Sequence, residues 1–327
     1  MANITFLQAI HDALLDEMRR DSRMIIMGQI VRGGTGFPVP TEGLWQEFGD
    51  LRVFDTPISE NAMAGSAVGL ALAGYTAVCD LGLSAFIPLV ADEMMYKAGR
   101  WRYMHNLNQP LHLVYLSASG LASHGAGPEH SDSGVGQVWH TPGLKLVAPS
   151  NPYDCKGLLK SALRSGDPVV FMGNVMLYGT QGEVPDEEYT IPLGEAKIVQ
   201  PGSDVSVAAL GYMVPLAQEA AEIMARENVS VEVIDLRCLE PLDMETVEQS
   251  VRKTGRAVVV EEDFLRCGPT AELAAQVTER AWGALKAPVL RVATADVPHP
   301  ASPPLIQAIL PSANKIAEAI RRVVDWT

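Results

Sequence analysis

The sequence predicts an α/β protein made of two successive parallel-sheet α/β domains. Three observations predict it. β-rich runs alternate with helical stretches through roughly residues 50 to 172, a segment rich in Gly, Pro and acids then breaks the pattern, and the alternation resumes towards the end of the chain. A length of 327 residues suits about two domains, each able to bury its own core. The break places the domains at 1–185 and 186–327.

Taken in order, "MANITFLQAIHDALLDEMRRDSR" carries an apolar stripe interrupted by charges, which reads as an amphipathic helix and not as a secretory signal. The glycine-rich "GQIVRGGTGF" from residue 28 is a loop, either a flexible connection or a ligand loop. "PISENAMAGSAVGLALAG", residues 57 to 74, opens on Glu60 and carries no charge after it. A buried carboxylate is costly unless it is paired, protonated or bound. Glu60 is therefore either a solvated helix-start residue or a group kept for chemistry. Strand "TAVCDLG", helix "FIPLVADEMMYKAGRWRYM", strand "LHLVYLSA", helix "YDCKGLLKSALRSG" and strand "DPVVFMG" follow. The aperiodic "GTQGEVPDEEYTIPLGEAKIVQPGSD" reads as a linker.

The second domain repeats the alternation from "VSVAALGY" to the last helix, "NKIAEAIRRVVD". Within it, "VPHPASPPLIQAILP" is rich enough in proline to predict an irregular surface segment. No internal repeat of fixed period is visible.

Composition narrows the function classes. With 39 acidic and 25 basic side chains the formal charge is −14, and no basic block offsets it, so nucleic acid and anionic membrane surfaces are excluded as expected partners. No run approaches the roughly 20 apolar residues that span a bilayer. Cys79, Cys155, Cys238 and Cys267 lie far apart without a CxxC pair and read as reduced, buried thiols. A cytoplasmic protein is the expectation.

The common nucleotide and nucleophile motifs are missing: there is no G-x-G-x-x-G after a strand, no P-loop and no G-x-S-x-G elbow. The informative stretch is "SASGLASHGAGPEHSDSGVGQVWH", residues 117 to 140, which follows the strand "LHLVYL". Open α/β sheets place ligands at the carboxyl ends of their strands, and loops longer than about 15 residues are usually functional or disordered. His124 and His130 are six residues apart, a spacing that matches no standard zinc pattern. His130 is either a proton-transfer or substrate-polarising group or a plain surface histidine.

Five blocks occur in an order that carries a resemblance: "RVFDTPISENAMAGSAVGLALAG", the glycine loop ending in "EHSDS", "HTPGLKLVAPSNPYDCKGLLKSALRSGDPVV", "VIDLRCLEPLDMETVEQSVRKTGRAVVVEE" and "CGPTAELAA". Together they resemble the β subunit of the thiamine-diphosphate-dependent 2-oxo acid dehydrogenase component of the pyruvate and branched-chain type, over nearly the whole chain. The resemblance implies a pyrimidine-binding domain followed by a transketolase C-terminal-like domain. It makes Glu60 the catalytic carboxylate that hydrogen-bonds N1′ of the cofactor's aminopyrimidine and so promotes loss of the thiazolium C2 proton. It makes Phe86 the aromatic packed on that ring, and His130 the histidine that faces the substrate and the lipoyl group. Backbone oxygens at Leu113, Ala162, Leu163, Ser165 and Asp167 match the family's potassium site.

The family's diphosphate and Mg²⁺ are held by a "GDG" motif, which this chain lacks. The resemblance therefore implies an α subunit that supplies that half, in an α2β2 assembly, with a lipoyl acyltransferase as a further partner.

Four places depart from the family pattern. Gln29 stands where an acidic residue of the proton-conducting path is expected. Glu129 and Asp132 replace glutamines flanking the histidine, and Gly82 replaces a methionine near the cofactor. "PASPPLI", Pro300 to Ile306, replaces a docking stretch. These changes cluster at substrate and partner surfaces. Decarboxylation of a 2-oxo acid with acyl transfer to lipoamide is the first expectation. A thiamine-dependent carboligase or split transketolase is the alternative, and Glu60 argues against a non-catalytic scaffold.

Overall fold

A computed structural model describes residues 1–34, 38–106 and 108–326, and the chain divides into two compact units. The first holds Met1–Ser119 and Gln137–Leu193; the second holds Gly120–Gly136 and the chain from Gly194 onward. The last three residues of "GQIVRGGTGF" fall outside the described residues.

The first unit begins with β1 (Ala2–Thr5), α1 (Phe6–Arg20), β2 (Met24–Gly28), α2 (Leu44–Phe48), β3 (Val53–Asp55), α3 (Glu60–Leu72), β4 (Thr76–Leu83), α4 (Trp101–Met104) and β5 (Leu113–Ser119). After the short α5 (Val135–Trp139) it continues with β6 (Lys145–Val147), α6 (Pro152–Arg164), β7 (Pro168–Asn174) and β8 (Gln181–Val184). Six of its strands run parallel in the order β6-β7-β5-β4-β2-β3. β2 and β7 are buried along their whole length, which is why they read as unbroken apolar runs rather than alternating ones.

α1 starts where the Thr5 side chain accepts the Gln8 N–H at 3.1 Å. Its buried face is Phe6, Ala9, Ile10, Ala13, Leu14, Glu17 and Met18, the helical spacing of a core-facing stripe. Glu17 is buried on that face but not unpaired: Arg20 donates to it at 2.8 Å, and Arg164 of α6 forks onto both oxygens. The pairing clamps α1 to α6 and satisfies a charge that would otherwise be costly there.

Three sequence expectations change here. The helix starts only at Phe6, because residues 2–5 pair antiparallel with β8, in the register Ala2↔Val184. The supposed linker is therefore not wholly irregular; it contains β8 and also β9 (Lys197–Gln200). "FIPLVADEMMYKAGRWRYM" is not one helix but a 3₁₀ stretch at Ser84–Val90, a π-helical stretch at Asp92–Ala98 and α4. Pro88 lies inside the 3₁₀ stretch, where its missing N–H and fixed ring oppose a regular α-helix.

The second unit continues from β9 with β10 (Val205–Ala209), α7 (Met213–Ala225), β11 (Val231–Asp235), β12 (Cys238–Glu240), α8 (Met244–Thr254), β13 (Ala257–Phe264), α9 (Pro269–Ala281), β14 (Leu290–Thr294), α10 (Pro303–Ile309) and α11 (Ala313–Val324). Its sheet has the order β14-β13-β10-β11-β9, parallel except for β9 at one edge. The core joins Val205, Val207, Val258 and Val260 of the sheet to Ala217 and Ala221 of α7 and Ile316 and Ile320 of α11.

The proline-rich segment expected to be irregular contains α10. Pro303 and Pro304 occupy its first turn, where no intrahelical N–H bond is lost. Ile306 and Leu310 then pack on Ala122. Cys79, Cys155 and Cys238 are buried, but Cys267 is exposed, correcting the expectation for that thiol; it lies in the turn between β13 and α9. Among the described residues, no helix is long and apolar enough to cross a membrane.

Candidate functional site

In the first unit the candidate residues gather at the carboxyl ends of three adjacent strands. β2 lies between β4 and β3, and Gly28 at its end is in register with Asp80 on one side and Asp55 on the other. Gln29 follows β2 directly, Gly82 lies near the end of β4, and Glu60 opens α3 shortly after β3. Parallel sheets place their binding crevices at this edge.

Glu60 is half-buried at the first position of α3. The helix behind it buries Met63, Ala64, Ala67, Val68 and Ala71, and the absence of bulky polar side chains lets it pack closely on β4 and on the 3₁₀ stretch. One contact fixes the carboxylate: Gln29 Nε2 donates to Glu60 Oε1 at 2.9 Å. Gln29, singled out in the sequence only as a departure, is thus brought against Glu60 itself.

Gly82 has φ +70°, a conformation that side-chain-bearing residues rarely adopt, and nothing stands within 4 Å of where a Cβ would be. The position therefore requires glycine for its backbone and leaves open space beside it. Phe86, in the 3₁₀ stretch that follows, is half-buried. A hydrogen-bonded carboxylate, an aromatic ring and an open glycine position on elements that pack together fit a flat heteroaromatic ring bearing a basic nitrogen.

Asp80 is inconspicuous in the sequence, where it sits inside an otherwise β-type run. It is buried, and its Oδ1 accepts the Gly82 N–H at 2.8 Å, tying down the glycine turn. Burial pushes its carboxyl up to about 6, the hydrogen bond from Gly82 opposing that rise. The folded protein therefore holds the Asp80 proton more tightly than the unfolded chain, and stability falls as pH rises from about 4 to 6 and then levels. Asp80→Asn keeps an acceptor for Gly82 and removes that slope. The expected result is a gain on the order of 3 kcal/mol at neutral pH, vanishing near pH 4, read from denaturant unfolding at several pH values.

The positions matched to potassium also lie in the first unit: Ala162, Leu163 and Ser165 at the carboxyl end of α6, with Leu113 and Asp167 at or beside the amino ends of β5 and β7. The Asp167 carboxylate is occupied by Lys145 at 2.9 Å and by Arg102. Backbone oxygens are what this cluster can offer an ion, in keeping with a monovalent cation rather than Mg²⁺. Among the described residues, no group of three or more His, Cys, Asp or Glu side chains forms a metal set.

The second unit carries the histidine loop. Residues 128 to 130, including Glu129 and His130, are exposed, and the His130 N–H closes a turn onto the Gly127 carbonyl at 3.3 Å. The loop is fastened on either side of that turn. A Cβ on Gly125 would stand 2.8 Å from the Ala301 carbonyl, so the loop's backbone approaches the α10 segment closely. The Asp132 carboxylate faces His299 Nε2 at 3.6 Å, and the Gly136 N–H is held by Asp263 at 2.7 Å.

His299, Asp263 and Glu261 carry no signal of their own in the sequence. His299 is buried against Phe264, with ring centroids 5.2 Å apart. Burial holds its pKa below the ordinary imidazole value despite Asp132 and Asp263. Asp132 is held above the usual carboxylate range, chiefly by burial. Glu261, fully buried and beside Asp263, is pushed up to about 8, and its carboxyl accepts the Asp263 N–H at 2.6 Å. Asp132 is thus an anchor of the loop, while Glu129 and His130 are presented at its tip.

The fold and these two sets of residues define a class. Residues 2–181 match the family described as transketolase, pyrimidine binding domain, and residues 194–316 match transketolase, C-terminal domain; the chain belongs to this family. Among curated relatives, it is 41% identical over 326 residues to the β subunit of the acetoin:2,6-dichlorophenolindophenol oxidoreductase of Cupriavidus necator, covering 97% of this chain and 96% of that one. It is also 41% identical to the pyruvate dehydrogenase E1 component β subunit of Bacillus subtilis, over 100% of both chains. Among solved structures, a split-gene transketolase described as an inactive β4 tetramer superposes with a TM-score of 0.80 at 21% identity, covering 98% of each chain, a likeness of fold.

Proposed function

We propose that this chain is the β subunit of a heteromeric thiamine-diphosphate-dependent enzyme that decarboxylates a 2-oxo acid and passes the acyl group to lipoamide. The observation that carries the reading is Glu60: a carboxylate at the head of a small-residue helix, held by a neutral amide at the carboxyl edge of a parallel sheet. Relatives at about 41% identity named as E1 and acetoin oxidoreductase β subunits support it.

Bound thiamine diphosphate supplies an acidic thiazolium C2 and an electron sink for loss of CO₂. In this reading Glu60 hydrogen-bonds N1′ of the aminopyrimidine and exchanges a proton there. Phe86 packs on the ring and Gly82 leaves room beside it. Gln29, Glu129 and Asp132 shape the substrate side, and His130 moves a proton on the substrate or the lipoyl thiol. An α subunit holds the diphosphate and Mg²⁺ in an α2β2 assembly. Backbone oxygens of Leu113, Ala162, Leu163, Ser165 and Asp167 hold K⁺. The functional domains are 1–185 for the pyrimidine ring and 186–327 for the transketolase C-terminal-like part, in a cytoplasmic enzyme.

A second reading keeps Glu60 and changes the acceptor: a carboligase or split transketolase-type enzyme that delivers the carbon fragment to an aldehyde. The stretch "PASPPLI" favours it, since a docking surface for a lipoyl acyltransferase is expected there and the segment instead leads into α10.

The test assembles the chain with an α subunit and offers 2-oxo acids and acetoin with either lipoamide or an aldehyde as acceptor. Reductive acylation of lipoamide is the expected result. Carbon–carbon bond formation without lipoamide turnover would install the second reading.

A further inference from the structure

We infer that Gln29 is the positioning residue of Glu60, fixing one carboxylate oxygen so that the other is presented to the cofactor ring. The inference rests on the proposed role of Glu60 and adds to it a residue whose part is set by this chain's own departure from its family.

The geometry is specific. Gln29 directly follows β2, and Glu60 opens the helix after β3, the strand that pairs with β2. Their side chains meet across 31 residues of sequence with Gln29 Nε2 2.9 Å from Glu60 Oε1. Among the described residues this amide is the side-chain partner the structure gives Glu60, and it bonds one oxygen of the two. A glutamate carboxylate turns freely about its last torsion. An N–H bond to one oxygen removes that freedom and sets the direction of the second.

The chemistry of the partner matters as much as its place. An ionised carboxylate only accepts hydrogen bonds, and the amide NH₂ of Gln only donates them. Gln29 can hold Glu60 but can neither take nor return a proton at ordinary pH. A glutamate here would put a second carboxylate at hydrogen-bond distance, and the two would share one proton. In this chain, proton traffic at Glu60 is therefore directed to the oxygen that Gln29 does not hold. The other acidic groups on the packed elements are Asp55 at the end of β3, Asp80 on β4, and Asp92 and Glu93 of the π-helical stretch, Glu93 lying beside Gly65 of α3. Asp55 accepts the Arg32 N–H at 3.1 Å and Asp80 accepts that of Gly82 at 2.8 Å.

Two variants and two readouts test this. In the full chain without cofactor, glutamate is labelled with ¹³C at the carboxyl carbon, and the Glu60 signal is identified as the one lost in Glu60→Gln. Gln29→Ala is expected to move the chemical shift of that signal, because the amide N–H no longer donates to the carboxylate, while leaving the thermal transition unchanged. In the enzyme assembled with its α subunit, Gln29→Ala is expected to slow proton exchange at thiazolium C2 about tenfold, with thiamine diphosphate affinity within about twofold of the parent. An unmoved Glu60 signal in Gln29→Ala overturns the inference. So does unchanged exchange in Gln29→Ala where Glu60→Gln abolishes it, an outcome that leaves the role of Glu60 standing. Unchanged exchange in both variants overturns the Glu60 reading and the inference together.

Discussion

Glu60→Gln, assembled with its α subunit, is expected to lose about 10²- to 10⁴-fold in turnover, the range a positioned proton-transfer group contributes. The substitution is nearly isosteric, and the new amide can still accept from Gln29 through its carbonyl oxygen, so the hydrogen bond seen at 2.9 Å need not be lost. What it cannot do is exchange a proton with a ring nitrogen. Melting temperature and thiamine diphosphate binding should therefore stay close to the parent while turnover collapses. Circular dichroism, calorimetric titration and steady-state rates on the same preparation separate these quantities. A variant that unfolds or loses the cofactor would place Glu60 among structural residues instead.

The second large effect concerns the chain by itself. Purified without an α subunit, it is expected to bind thiamine diphosphate with Mg²⁺ at least about 100-fold more weakly than the assembled enzyme, a difference of roughly 3 kcal/mol. The reason lies in charge. The diphosphate and its metal carry much of the cofactor's polar binding energy, the sequence has no "GDG" motif, and its formal charge of −14 does not favour an anionic ligand. Titration calorimetry on the chain alone and after reconstitution measures the gap. Tight Mg²⁺-dependent binding by the chain alone would overturn the two-subunit reading.

How far the sequence reveals this molecule depends on whether the signal is local. Glu60 is legible because a single charge heads a long uncharged run, a pattern that needs no distant partner to be noticed. The parallel order of the strands is legible in kind, since alternating β-rich and helical runs leave few other arrangements. α10 is hidden because its prolines, read as breakers, occupy the first helical turn, where they are tolerated. β1 is hidden because its partner, β8, lies about 180 residues away.

The same distinction governs the candidate site. Gln29 stands out in the sequence as a departure, but its contact with Glu60 exists only once β2 and β3 are paired. Asp80 is concealed by its apolar strand neighbours, and its meaning comes from burial and from the glycine turn it holds. His299 lies in the proline-rich stretch far from Asp132, and only the folded second unit sets them 3.6 Å apart.

The proposed role of Glu60 is one carboxylate promoting one proton transfer, and that step can be watched directly. The measurement is hydrogen–deuterium exchange at the thiazolium C2 of thiamine diphosphate bound to the assembled enzyme, followed by quenched-flow NMR for the parent chain and for Glu60→Gln. Fast exchange in the parent, slowed by about 10²-fold or more in the variant with the cofactor still bound, is the predicted result. Equal exchange rates in the two would contradict the assignment of Glu60.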